Sequence, residues 1–249
     1  MKFKSILIVT YARSGSTLLQ GIINSIDGVL IRGENKNFIY GLYQAYVRLQ
    51  MVQNICGNNN SDSFSTKKSF TPQHPWYGGD KISLSVFLEY CTAMIKDILI
   101  ANHPDAEHII CYGFKEIRYY ELLKLKIELK DYLDFMQLVF PQVAIIFNTR
   151  NLDDVIKSAI WREKDKYQSI ARLMKLEQDF KSYNKAYPEN TFSLTYEDVI
   201  SKSENFKSLF DFLGCEYSSA KIDNVLSIPH SVKNKSINIV DGKVIKGDR

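Results

Sequence analysis

Residues 10–17, with the sequence Thr-Tyr-Ala-Arg-Ser-Gly-Ser-Thr, have side chains and spacing that could bind an anion. An apolar run precedes them and apolar residues at helical spacing follow, so the stretch predicts a strand, a tight polar loop and a helix. Such a loop presents backbone N–H groups where the helix dipole favours negative charge. The loop supplies a planar cation, a glycine that permits close backbone approach, and three hydroxyl donors: Arg13, Gly15, Ser14, Ser16 and Thr17. Alone, it is equally compatible with a turn whose Ser and Gly serve only to cap the helix.

A second candidate anion site consists of Arg150 and Ser158, which follow the apolar run at residues 143–147. Arg150 leaves the end of a predicted strand, and Ser158 lies eight residues further, about two turns into the next predicted helix. An arginine offers a planar fork to a phosphate and a serine offers a hydroxyl donor. Taken alone, helix capping or a surface pair would also explain this spacing.

Together, these two motifs resemble those of the PAPS-dependent sulfotransferases. In that family a strand ends in a basic residue followed by Ser-Gly-[Ser/Thr]-[Ser/Thr], as at residues 13–17, and binds the 5′-phosphosulfate. An Arg at a later strand end, with a Ser eight residues on, holds the 3′-phosphate. A third segment, Leu-Thr-Tyr-Glu-Asp-Val at residues 194–199, resembles the family segment whose tyrosine lies beside the adenine. The resemblance thus implies an adenine contact for Tyr196, with a core aromatic as the alternative.

The resemblance implies PAPS as the cosubstrate, PAP as the product, a small-molecule or glycan hydroxyl as the acceptor, and no metal. The Arg-Ser-Gly-Ser form is similar to the carbohydrate sulfotransferase branch, because the cytosolic steroid and phenol enzymes usually have Lys there. Glu34 follows the second predicted strand, where some carbohydrate sulfotransferases have the proposed general base; a surface glutamate in a polar turn is the alternative. Arg13 would then stabilise the leaving phosphate.

A further polar cluster follows the predicted strand near residue 114. Lys115 or Arg118 could hold the bridging oxygens or an anionic acceptor, and alternation along an extended segment would place them on opposite faces. Glu116 is a reserve candidate for the general base. An internal salt bridge between Glu116 and Arg118 explains these two residues equally well.

Composition limits the class of protein. The 249 residues fit one domain, and a net charge of +4 suits an anionic cofactor but is too small to indicate nucleic-acid binding. Four widely spaced cysteines show no metal-binding pattern and indicate a reducing compartment, which we expect to be the cytoplasm. No apolar run reaches the length that spans a bilayer, so we expect no transmembrane segment.

Strands alternate with helices along the chain, which predicts a three-layer α/β fold with a mainly parallel central sheet flanked by helices. The family resemblance implies the P-loop NTPase-like sulfotransferase form of this fold. Ligands in such folds bind at the carboxyl ends of the strands. We also predict a polar, mobile insertion at about residues 56–81, a polar tail from about residue 229, and a helix over residues 83–101 whose core stripe includes Met94 and Ile98.

Two alternative functions remain open from the sequence. A P-loop kinase would need a Walker lysine and magnesium-binding acids, and the pattern G-x-x-x-x-G-K-[ST] is absent from the loop at residues 10–17. A catalytically silent nucleotide-binding module would bind PAP without transferring a sulfuryl group. The sequence leaves the identity of the acceptor and the oligomeric state undetermined.

Overall fold

The computed structural model describes residues 1–57, 71–157, 166–228, 237–240 and 243–246. Within this part of the chain, the main sheet contains β1 (Ser5–Val9), β2 (Val29–Arg32), β3 (Cys111–Glu116), β4 (Val143–Thr149) and β5 (Thr191–Thr195). A separate antiparallel hairpin contains β6 (Ile237–Val240) and β7 (Lys243–Lys246). The hairpin falls where the sequence predicted only a polar tail.

The helices that connect and cover these strands are α1 (Ser16–Asn24), α2 (Ile39–Gly57), α3 (Leu84–Ile100), α4 (Tyr119–Lys124), α5 (Leu129–Val139), α6 (Leu152–Ile156), α7 (Lys166–Ala186), α8 (Tyr196–Ser201), α9 (Glu204–Leu213) and α10 (Ser219–Ser227). Local signals set several of their ends. The Ser83 side chain accepts from the N–H of Val86 at the start of α3, and Gly214 adopts φ +67° after α9. No described helix is both long and apolar enough to cross a membrane.

The main sheet has the strand order β2-β3-β1-β4-β5, and all its pairings are parallel. Side chains alternate between its faces, so Leu7 and Val9 pack towards α3, α5 and α7, whereas Ile6 and Ile8 pack towards α1, α9 and α10. Both faces are therefore covered, which explains why the inner strands are almost continuously apolar. The predicted three-layer fold with a parallel sheet is confirmed.

Two of the sequence predictions about the elements were wrong in detail. The strand predicted from residue 108 begins at Cys111, because the ladder with β2 starts with the pair Val29–Cys111 and residues 106–108 form a 3-10 turn. Met94 and Ile98 of α3 are exposed, because the sheet and α5 cover only the side of the helix that carries Cys91, Ile95 and Leu99. Half of the predicted insertion, residues 58–70, lies outside the described residues.

Candidate active site

The loop after β1 is fixed to the neighbouring strand β4 by buried polar contacts. Thr10 Oγ1 lies 2.6 Å from Ser14 Oγ and 2.6 Å from the carbonyl oxygen of Asn148. The Ser14 hydroxyl also donates to Asn148 Oδ1 at 3.3 Å. Because this hydroxyl is buried and already bonded, we expect Ser14 to contribute its backbone N–H to an anion rather than its side chain.

The backbone of the loop turns through two left-handed residues, Arg13 at φ +73° and Gly15 at φ +80°. Gly15 is the N-cap of α1, so the unpaired N–H groups of the first helical turn, including those of Ser16 and Thr17, begin directly after it. Arg13 pays a conformational penalty of about 1–2 kcal/mol in this region. Arg13 is exposed to solvent. This conformation is that of a loop shaped to present N–H groups and a cation to an anion.

Tyr196, the first residue of α8, packs directly against this loop. A Cβ atom at Gly15 would lie only 2.2 Å from Tyr196 Cδ2, so a side chain at Gly15 would displace the ring. The guanidinium of Arg150 lies on the Tyr196 ring, 4.3 Å from its centroid. Glycine, tyrosine ring and arginine therefore form one packed unit at the ends of β1, β4 and β5.

The Arg150 side chain lies against the backbone of Arg13, and neither arginine has a carboxylate partner in the described part of the chain. Arg150 Nη1 is 3.5 Å from the carbonyl oxygen of Arg13. Arg150 Nε is buried and has no hydrogen-bond partner within the described ranges. Neither guanidinium forms a salt bridge with any carboxylate that the structure describes. A guanidinium without a carboxylate partner and with an unused buried donor, beside a loop that carries a second arginine, has the features expected of a phosphate site.

The hydroxyl of Tyr11 connects the loop to the backbone of Arg150. It donates to Glu177 Oε1 of α7 at 2.5 Å and accepts the backbone N–H of Arg150 at 3.0 Å. Burial, together with the hydrogen bond to the Glu177 carboxylate, raises the pKa of Tyr11 far above its usual range, so the hydroxyl keeps its proton. Tyr11 and Glu177 thus fix the position of Arg150 relative to the loop at residues 13–17, the two candidate phosphate sites. Neither Tyr11 nor Glu177 was predicted from the sequence to belong to the site.

A second group of charged residues lies at the carboxyl ends of β2 and β3. Glu34 Oε1 accepts from the ammonium of Lys115 at 2.8 Å, and Glu34 Oε2 lies 3.4 Å from Arg118 Nη2. Lys115 is only 4% exposed, whereas Glu34 is partly accessible to solvent. The prediction that Lys115 and Arg118 face opposite ways was wrong, because β3 ends at Glu116 and Arg118 turns back as the N-cap of α4.

The buried Glu116 carboxylate holds together the segments that carry Glu34 and Arg118. Its Oε1 accepts from Arg118 Nη1 and from the backbone N–H groups of Ile117 and Arg118, and its Oε2 accepts from those of Asn35 and Asn37. The carboxylate is fully buried, so the internal salt bridge with Arg118 is the alternative that the structure supports. Burial acts to lower the pKa of Arg118, but the Glu116 and Glu34 carboxylates outweigh it and raise this pKa.

The two groups belong to one site. An isolated bridge pairs Tyr11 with Arg118, and Thr10 N–H donates to the carbonyl of Glu116, so the loop is bound to the end of β3. All the described candidates lie at or directly after the carboxyl ends of the strands, at the same edge of the sheet: Arg13, Ser14, Gly15, Ser16, Thr17, Glu34, Lys115, Arg150 and Tyr196. Ser158 lies outside the described residues. No cluster of metal-ligating side chains occurs in the described part of the chain.

Comparison with known proteins identifies the family. The sulfotransferase family model matches residues 5–219. No curated protein matches the chain. A solved structure of retinol dehydratase in complex with retinol and PAP is similar, with 12% identity, a TM-score of 0.40, and coverage of 90% of this chain and 64% of that one.

Two bacterial structures are similar to the same degree. Sulfotransferase STF9 from Mycobacterium avium has 10% identity and a TM-score of 0.42, with coverage of 91% of this chain and 68% of that one. Sulfotransferase STF1 from Mycobacterium tuberculosis H37Rv has 10% identity and a TM-score of 0.42, with coverage of 91% of this chain and 71% of that one. The chain spans about two thirds of the length of these proteins, and the likeness is too distant to indicate a substrate. Because the family model covers most of the chain, the protein belongs to the sulfotransferase family.

Proposed function

We propose that this protein transfers the sulfuryl group of PAPS to a carbohydrate hydroxyl and releases PAP. The observation that carries the proposal is the Arg150 guanidinium, whose buried Nε has no hydrogen-bond partner in the described residues and which lies against the backbone of Arg13 in a left-handed loop at a helix start. Family membership supports the reaction type. The carbohydrate acceptor is supported by the Arg-Ser-Gly-Ser form of the loop and by the position of Glu34 after β2.

The residues present fit PAPS. The N–H groups of the loop and Arg13 would hold the 5′-phosphosulfate, and Arg150, with its unused buried Nε, would hold the 3′-phosphate with Ser158. Tyr196 would contact the adenine beside the Arg150 guanidinium. When bound, PAPS supplies an activated sulfuryl group on its 5′-phosphate. Arg13 lies where it can stabilise negative charge on that phosphate as it leaves.

Glu34 is the proposed general base for the acceptor hydroxyl. Its carboxylate is accessible from the solvent side and is held from behind by Lys115 and Arg118. These contacts fix the direction of the carboxylate, as general base catalysis requires. Lys115 is thereby a positioning residue for Glu34 and, at the end of β3, is also available to the oxygens of the transferring group. We also infer a reducing compartment such as the cytoplasm, since all four cysteines are free.

The cofactor assignment is tested by calorimetric titration with PAP, with adenosine 5′-phosphate and ATP as matched ligands. We expect PAP to bind more tightly than adenosine 5′-phosphate, and Arg150→Ala to remove most of this difference, about tenfold or more in affinity. Binding of ATP without binding of PAP would instead indicate a kinase. Equal affinity for PAP in wild type and Arg150→Ala would refute the 3′-phosphate site.

The base assignment is tested by sulfuryl transfer from PAPS to a panel of glycans and phenols. We expect Glu34→Gln to retain PAP affinity and to lower the rate on the best glycan by about 100-fold or more. Glu107→Gln, which changes an exposed glutamate far from the site, is the control and should leave the rate unchanged. Transfer to phenols alone would refute the carbohydrate acceptor. PAP binding without transfer to any acceptor would indicate the silent nucleotide-binding module.

A further inference from the structure

Three polar side chains are buried side by side where the loop at residues 13–17 meets the sheet. Thr10 and Ser14 are 0% exposed, and Asn148, near the end of β4, is 1% exposed. Asn148 follows five buried apolar residues of the same strand, at positions 143–147. A buried polar side chain costs free energy unless it is hydrogen-bonded, whereas an apolar side chain carries no such cost. Packing alone therefore does not explain three polar side chains at this place.

The hydroxyl hydrogens of Thr10 and Ser14 can be assigned from their neighbours. Thr10 Oγ1 lies 2.6 Å from the carbonyl oxygen of Asn148 and 2.6 Å from Ser14 Oγ. The carbonyl oxygen can only accept, so the single hydrogen of Thr10 goes to it. The Ser14 hydroxyl then donates in the contact with Thr10 and shares its hydrogen with Asn148 Oδ1 at 3.3 Å. Neither hydroxyl has a hydrogen left for an anion.

The Asn148 side-chain amide connects this trio to the strand beside it. Its Oδ1 faces Ser14, and its Nδ2 donates to the carbonyl oxygen of Leu194 on β5 at 3.4 Å. Leu194 lies two residues before Tyr196, whose ring is so close to Gly15 that a Cβ there would overlap it. Asn148 therefore holds the loop on one side and, on the other, the end of the strand that leads into α8.

The loop needs these contacts because its backbone is strained. Arg13 and Gly15 have left-handed φ values of +73° and +80°, and Ser14 lies between them. A residue other than glycine occupies this region at a cost, so Arg13 would leave it unless neighbouring contacts opposed the change. Within the described residues, Ser14 is the member of the loop whose side chain is hydrogen-bonded to the sheet. The trio thus opposes relaxation of the loop at its midpoint.

We propose that Asn148 is a positioning residue for the 5′-phosphate of the cofactor, acting through Ser14 and Thr10. It holds the loop in the left-handed conformation that presents the N–H groups at the start of α1, and it keeps this loop beside Tyr196. Asn148 itself is buried and does not touch the cofactor. This role rests on the proposed function, because it takes the loop to bind the 5′-phosphate of PAPS.

Calorimetric titration of the full chain can separate the two phosphates of the ligand. The ratio of the affinities for PAP and adenosine 3′-phosphate is the 5′-phosphate gain, and the ratio for PAP and adenosine 5′-phosphate is the 3′-phosphate gain. Asn148→Leu keeps the approximate shape of the side chain and removes its hydrogen bonds. We expect it to lower the 5′-phosphate gain by about tenfold and to leave the 3′-phosphate gain unchanged. A role in folding alone would lower both gains or neither.

Substitutions of Thr10 provide a second arm with its own rescue. Thr10→Val removes the hydroxyl that joins Ser14 to the Asn148 carbonyl, so it should lower the 5′-phosphate gain as Asn148→Leu does. Thr10→Ser keeps this hydroxyl and should bind like the wild type. Asn190→Leu is the matched control, since Asn190 is a partly buried asparagine, hydrogen-bonded to Gln137, just before β5 at the opposite edge of the sheet. It should leave both gains unchanged.

An Asn148→Leu variant that keeps the full 5′-phosphate gain would overturn the proposal, as would an equal loss of both gains. If Asn148→Leu does not fold, the comparison of Thr10→Val with Thr10→Ser decides, and equal binding by these two variants overturns the proposal. The proposed function fails separately, if the wild type shows no 3′-phosphate gain. The 5′-phosphate gain is then measured with adenosine 5′-phosphate against adenosine, and its absence from the wild type would overturn the role of Asn148 as well.

Discussion

Replacing Gly15 by alanine tests the packing on which the candidate phosphate site depends. Gly15 has φ +80°, and a Cβ there would lie 2.2 Å from Tyr196 Cδ2. The left-handed backbone costs an alanine about 1–2 kcal/mol, and the overlap with the ring adds about 1–3 kcal/mol. We therefore expect Gly15→Ala to lower the free energy of unfolding by about 2–5 kcal/mol and to weaken PAP binding, since the displaced ring carries Arg150 with it.

A double-mutant cycle separates the two contributions. In a Tyr196→Ala background the ring is absent, so Gly15→Ala should cost only the backbone part, about 1–2 kcal/mol. Urea unfolding followed by circular dichroism gives the four free energies of unfolding. Gly78→Ala is the matched control, because Gly78 has φ +71° but a Cβ there would meet nothing within 4 Å. Gly78→Ala should lower the free energy of unfolding by about as much as Gly15→Ala does in the Tyr196→Ala background, about 1–2 kcal/mol.

The result that refutes the reasoning is additivity. If Gly15→Ala costs the same with and without the tyrosine ring, within about 0.5 kcal/mol, the ring does not press on the loop. Tyr196 would then not belong to the unit that joins Gly15 and Arg150, and its proposed contact with the adenine would lose its structural support.

Three further predictions concern residues around the site. Tyr11→Phe leaves the Arg150 N–H and the Glu177 carboxylate without their partner, so it should destabilise by about 1.5–3 kcal/mol in urea unfolding and weaken PAP binding. Glu116→Gln breaks a buried ion pair, so thermal unfolding should show a loss of about 3 kcal/mol and kcat should fall. Burial acts to raise the pKa of Asp198, but hydrogen bonds from Ser203, Thr195 and Asn205 lower it overall. The ionised Asp198 carboxylate therefore stabilises the folded state above the ordinary pKa of 3.8, and this stabilisation is lost as the pH falls through the lowered pKa of the folded state. Asp198→Asn should lower the free energy of unfolding at pH 7, and this difference from the wild type should disappear in acid.

The part of the site that the sequence predicted is the part that short-range patterns encode. The loop at residues 13–17 and Arg150 each follow a strand whose apolar run is unmistakable, and Asn151 caps the next helix through its side chain, as its position indicates. Parallel strands align their carboxyl ends, so a polar residue after each strand is enough to bring these groups together. The fold class follows from the same alternation of strands and helices.

The remainder depends on which distant segments meet, which a single sequence does not contain. The Tyr11–Glu177 contact joins residues 166 positions apart. The direction of Arg118 depends on where β3 ends and α4 begins. The exposure of Met94 and Ile98 depends on how wide a side of α3 the sheet and α5 cover, and helical spacing alone does not give this width.

The strand order also has a consequence for synthesis of the protein on the ribosome. β1 occupies the middle of the sheet, yet Val9 pairs with Glu116 of β3 and with Phe147 of β4. In a nascent chain, β1 therefore has no partner strand until β3 has emerged and keeps one unpaired edge until β4 has emerged, an interval on the order of ten seconds at ordinary elongation rates. During that time the apolar side chains of β1 and α1 are exposed and prone to aggregation. Because the phosphate loop follows the first strand to be made, we expect the yield of folded protein to depend on a chaperone that binds nascent chains.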